Sequence, residues 1–146
     1  MNLKIITSNI RYDDLKDGPN QWCFRQKIWT GCINSFTPHI LGTQEGLHPQ
    51  IQDFIPNISP LHIIDQHRSW LADRMYPNLF YHQEIFQVLD SGDIWLSQTP
   101  HIPASLSFNS QFPRLAIWAH LEHIQSGYIF LIINTQGSKF FGGYVN

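Results

Sequence analysis

Three observations predict an α/β fold. A short β-branched run at residues 3–9 has nothing before it, and residues 22–36 then carry apolar side chains at helical spacing. From Asn78 onward the helical period disappears and strand-like segments dominate. The first half therefore reads β-α-β-α-β and the second half as strands, with no internal repeat.

Taken in order, Leu3, Ile5 and Ile6 set the register of the first strand, which Asn9 ends. Residues 11–20 hold Asp13, Asp14 and Asp17 followed by Gly18 and Pro19, a polar loop. In residues 22–36, Phe24, Ile28, Trp29, Cys32, Ile33 and Phe36 form the face expected to pack on a sheet, and Thr37-Pro38 ends the helix. Ile40 and Leu41 close a buried strand, after which Gly42, Thr43 and Gln44 are expected to carry the backbone out of the core to Glu45 and Gly46. A shorter helix is predicted over residues 50–55, and Pro56 and Pro60 break the pattern before an apolar run at 61–64. Later strands fall at 79–82, 86–89, 94–97, 115–121 and 128–134. Turn signals separate them: Asp90-Ser91-Gly92-Asp93, Thr99-Pro100, Pro103, Pro113 and Ser126-Gly127. The unbroken apolar run at 128–133 predicts a strand covered on both faces, because a wetted face would show alternation.

The chain has 146 residues, enough for one domain with a core and too few for two. Charged residues make up 14% and aromatics 14%, with a net charge of −2, which excludes the disordered and fibrous classes. No run of Lys and Arg provides an electrostatic footprint for a long stretch of nucleic acid. The N-terminus is too poor in apolar residues for a signal peptide, and no segment approaches the roughly 20 apolar residues that span a bilayer. A soluble, cytoplasmic protein with no membrane partner is expected. Cys23 and Cys32, nine apart on the predicted helix, are too distant to bridge and are expected to be buried thiols. His120 and His123 fall on opposite faces of a strand and are expected at the surface.

Glu45 is the residue with chemical promise. Open α/β sheets place their chemistry just outside the carboxyl ends of the strands, where a carboxylate is a natural cation ligand. The same residue also fits a solvated turn before the helix near Pro49. Likewise Asn9 fits a strand-end cap, and Arg114 an exposed residue after proline.

Several segments taken together bear on these alternatives through a resemblance. Ser8-Asn9-Ile10-Arg11-Tyr12-Asp13, Trp22 with Arg25, and Gly42-Thr43-Gln44-Glu45-Gly46 are followed by Leu89-Asp90-Ser91-Gly92 leading to Trp95-Leu96-Ser97, by Pro113-Arg114 and by Asn134-Thr135. In that order they resemble the endonuclease/exonuclease/phosphatase family, deoxyribonuclease-I-like metal-dependent phosphoesterases, from residue 3 to residue 135. The resemblance implies a four-layer α/β sandwich, two sheets face to face with helices outside, of which this chain holds the N-terminal half. It implies a hydrolase acting on phosphate esters with Mg²⁺ or Mn²⁺, in which Glu45 is a metal ligand, Asn9 orients a phosphate or metal-bound water, and Arg114 contacts phosphate. A phosphate-ester substrate is the implied partner.

The sequence also departs from the family. The histidine expected after Asn134-Thr135 is Gln136, which cannot shuttle a proton at neutral pH. The family's later Asp-x-Asn and Ser-Asp-His segments do not occur in this sequence. Residues 1–135 thus read as a truncated domain and 136–146 as a divergent tail. Weak Mg²⁺ binding and no turnover by this chain alone are expected. The alternative function is a non-catalytic remnant that binds phosphate or a partner. If a second sheet is missing, the inward half of residues 129–133 becomes an uncovered face open to self-association or a partner.

Overall fold

A computed structural model describes residues 2–136. Its elements are β1 (Ile5–Asn9), α1 (Trp22–Phe36), β2 (Ile40–Gly46), α2 (His48–Phe54), β3 (Leu61–Ile63), β4 (Tyr76–His82), β5 (Phe86–Trp95), β6 (Leu115–His123) and β7 (Ile129–Thr135). Two sheets result. The first has the order β1-β2-β4-β3, with β1 and β2 parallel and the other pairs antiparallel. The second is the antiparallel meander β5-β6-β7. The family's arrangement of sheets is therefore present, with helices covering one outer side.

The layers follow from strand alternation, which sends successive side chains to opposite faces. Leu41 and Phe80 of the first sheet meet Trp22 and Ile33 of α1 and Ile51 and Phe54 of α2. Trp22, Trp29 and Phe54 pack edge-on at centroid distances of 4.7–6.0 Å, and the Trp29 indole N–H donates to Ser8 Oγ at 3.0 Å. On the opposite face, Ile40 and Leu79 meet Phe86, Ile117, Ala119 and Leu121 of the second sheet.

Five expectations need correction. First, α1 has the predicted bounds but turns a different face inward: Trp22, Thr30 and Ile33 are buried, whereas Phe24, Ile28 and Phe36 are exposed. Its sequence carries apolar residues on two sides, and helical spacing alone does not choose between them. Second, Cys23 and Cys32 are both exposed free thiols. Third, Asp90-Ser91-Gly92-Asp93 is no turn, since β5 runs through it with a register shift between Val88 and Asp90. Here a β-bulge absorbs the extra residue. Fourth, β2 continues through Glu45 to Gly46, and Gly42, Thr43 and Gln44 stay buried.

The fifth correction concerns β7. It lies in the second sheet, and the sheet it packs against is part of this chain. Phe130 and Ile132 point into the inter-sheet core, while Ile129, Leu131 and Ile133 face outward and are each more than half exposed. The strand is covered on one face only, so its unbroken apolar run was not a sign of two covers. Tail residues 137–146 lie outside the described residues.

Candidate functional site

The parallel pairing of β1 with β2 sets Asn9 opposite Gln44, which brings its side chain beside Glu45 at the sheet rim. Asn9 Nδ2 donates to Glu45 Oε1 at 2.9 Å, and Gln136 Nε2 donates to the same oxygen at 2.7 Å. Glu45 sits at φ +66°, in the left-handed region that L residues other than Gly, Asn and Asp seldom enter. Arg11 beside it has φ +56°. Such outliers persist only where the surroundings over-determine them, and they cluster at functional sites.

The surroundings here are explicit. Asn9 Oδ1 accepts the Arg11 N–H at 2.9 Å. Arg25 of α1 donates to the carbonyl of Ile10 at 2.7 Å and of Arg11 at 3.4 Å, and Gln50 of α2 donates to Arg11 O at 2.8 Å. The Arg11 guanidinium is held outward by Asp17, at 3.1 and 2.9 Å. That pairing raises the Arg11 pKa, with Glu45 as a minor contributor, and holds the Asp17 carboxyl below its ordinary value.

The donor set can be tested against a divalent cation. Oε1 is taken by two amide N–H groups, whereas Oε2 meets no hydrogen-bond donor among the described residues. It is a hard anionic oxygen, the type Mg²⁺ and Mn²⁺ accept. No group of three or more His, Cys, Asp or Glu that could hold a metal ion occurs among the described residues. One free carboxylate oxygen, on Glu45, is what these residues offer a divalent cation.

Gln136, which bonds Glu45, also lines a cavity of about 240 Å³. Arg114, Arg74 and Asp73 supply its charged groups, and Trp95, Phe112 and Met75 are among its apolar walls. Arg114 is half-buried at the start of β6, and its Nε is buried with no hydrogen-bond partner. Asn9 and Gln136 thus meet at Glu45, and Gln136 shares its cavity with Arg114. Two other carboxylates are spent elsewhere: Asp13 accepts from the Trp22 N–H at 3.3 Å, and Asp90 from the Ser91 N–H at 2.9 Å.

A buried polar network beneath the rim escaped the sequence reading. Gln44 donates to Asn134 Oδ1 at 2.7 Å, and Asn134 donates to the carbonyls of Thr43 and Asn78 at 2.9 and 2.8 Å. Arg68 donates to Asn78 Oδ1 at 2.8 Å and grips Asp93 with two bonds of 2.7 Å. His67 lies with Nε2 3.1 Å from Asp93 Oδ1 and Nδ1 2.8 Å from Ser91 Oγ. This network pins the two sheets in register under the site. The available signal was polar residues, Gln44 and Asn134, within otherwise apolar strands.

No protein-family model matches the sequence, and no curated protein matches it. Solved structures do. An endonuclease/exonuclease/phosphatase from Bacteroides vulgatus is 31% identical over 91% of this chain and 51% of its own, with a TM-score of 0.85. A mannosyl-6-phosphatase from Bacteroides thetaiotaomicron is 26% identical over 92% of this chain and 51% of its own, with a TM-score of 0.83. The human Nocturnin catalytic domain, solved with a bound sulfate anion, shares the fold at 23% identity and a TM-score of 0.73. The chain spans about half the length of the solved structures it matches.

Proposed function

We propose, from its likeness to solved endonuclease/exonuclease/phosphatase structures, that this chain is the corresponding half of such a protein and carries the cation- and phosphate-binding part of a metal-dependent phosphoesterase site. The observation that carries this reading is Glu45, held in a left-handed conformation with Oε1 tied by Asn9 and Gln136 and Oε2 left open.

Each residue has a distinct task in this reading. Glu45 Oε2 holds Mg²⁺ or Mn²⁺, and Asn9 and Gln136 orient the carboxylate rather than touch the phosphate. Arg114 takes the phosphate, a role suited to a guanidinium fork. A bound divalent cation supplies charge neutralisation at the phosphoryl oxygens. Gln136 cannot accept and release a proton, so the residues gathered at this rim bind and orient without a general base. Further groups are needed for turnover.

For the substrate, two features agree on a compact phosphomonoester. The cavity of about 240 Å³ is below the roughly 300–1,000 Å³ of drug-sized ligand sites. The mannosyl-6-phosphatase likeness makes a hexose phosphate the first candidate.

The test is titration calorimetry of the chain with mannose 6-phosphate, with and without Mg²⁺. Saturable binding that needs the cation, and that Glu45→Ala or Arg114→Ala each removes, is the expected result. Equal binding by the parent and both variants would refute the reading.

A further inference from the structure

We infer that a second ligand site, for a small oxyanion, lies at the opposite end of β2 and β4 from Glu45, in a cavity built around His39 and His82. The cavity measures about 250 Å³ and is lined by Asn34, Thr37, His39, Ser59 and His82 with apolar walls that include Ile58 and Leu61. None of its lining residues is a carboxylate.

Hydrogen bonding fixes which groups can donate. His39 Nδ1 accepts the Lys4 N–H at 3.3 Å, so the neutral ring carries its proton on Nε2. His82 Nδ1 is buried without a hydrogen-bond partner. His82 is fixed across from His39, because its backbone N–H donates to His39 O at 3.0 Å. Thr37 Oγ1 accepts from Lys4 Nζ at 3.0 Å, which leaves its own hydroxyl proton free to donate. Asn34 spends its amide on Asn57 O at 2.8 Å. The cavity thus offers the His39 Nε2–H and the Thr37 hydroxyl as donors, beside a His82 ring nitrogen that has no partner.

Charge and backbone agree with this assignment. The His39 pKa is lowered first by burial and then by Lys4, His82 and His123, all positive when charged. An oxyanion would relieve that repulsion. Thr37, which ends α1 at the cavity wall, has φ +46°, a rare conformation for a β-branched residue. This site does not depend on the role given to Glu45.

The experiment follows histidine ring signals of the full chain by NMR during titration with inorganic phosphate and, separately, with malonate. The His39 and His82 signals are expected to move together and saturate. Binding should be roughly tenfold tighter near pH 5.5 than near pH 7.5, since protonated imidazole is the better partner. Response to phosphate alone identifies a phosphoryl ligand, and response to malonate as well identifies a general oxyanion site. His39→Gln should weaken binding several-fold, and the exposed Ser59→Ala provides a second variant if His39→Gln does not fold. The inference is overturned if neither histidine signal moves, if movement is confined to the Trp95 indole in the Arg114 cavity, or if binding ignores pH.

Discussion

At the scale of single residues, the rim depends on which oxygen of Glu45 is occupied. Asn9→Ala removes one of the two donors to Oε1, and groups that orient a metal ligand typically control affinity by roughly 10- to 100-fold. Mg²⁺ binding measured by calorimetry should weaken within that range, while thermal unfolding changes little. Because both amides sit on Oε1, only one oxygen remains for a cation, which suits Mg²⁺ better than Ca²⁺ with its use of bidentate carboxylates. His39 gives a second prediction. Its folded pKa lies below the unfolded value, so the unfolded chain binds the extra proton first and stability falls as pH drops through about 6.5. In ligand-free buffer, His39→Gln should flatten that fall in denaturation curves. Glu45, Asn9 and Arg114 were singled out in the sequence because each stands in a recognisable segment, and the contact of Asn9 with Glu45 follows from the β1–β2 register. The bracing task of Gln136 and the place of Arg74 were not, since both arise from contacts across the fold that spacing does not encode.

Among the elements, the contact between the β3–β4 connection and β5 is the one most exposed to failure. Arg68 has a side chain 1% exposed and is paired to Asp93. Removing one partner of a buried pair leaves an uncompensated charge and costs about 3–5 kcal/mol. Asp93→Ala should lower stability by that order in urea unfolding, and Asp93→Glu by less. Gly92 is a second sensitive point: a Cβ there would lie 2.7 Å from Trp118 Nε1, so Gly92→Ala must displace the indole. A reduced Trp118 protection, seen by fluorescence quenching, is expected. The strands and helices were legible from their periods. The continuity of β5 was not, because Asp-Ser-Gly-Asp has the composition of a turn, and its true partner, Arg68, is 25 residues away.

For the whole molecule, the exposed outer face of the second sheet sets behaviour in solution. Ile129, Leu131 and Ile133 stand along β7, beside Trp118 of β6, and β7 is an edge strand. Apolar faces and unpaired edges of this kind favour association. Sedimentation should show self-association that Leu131→Lys with Ile133→Lys reduces, and unchanged sedimentation would remove this face from the account. The two-sheet architecture was legible through the family resemblance. The side left bare was not, because strand alternation is silent when both faces are apolar. Finally, β2 runs from the histidine cavity at one end to Glu45 at the other, six residue steps or about 20 Å of strand. That distance is about twice the screening length of physiological salt, roughly 8 Å, or more. Charging His39 is therefore electrically silent at the rim: His39→Gln should leave the Mg²⁺ affinity of Glu45 unchanged across the pH range in which His39 titrates.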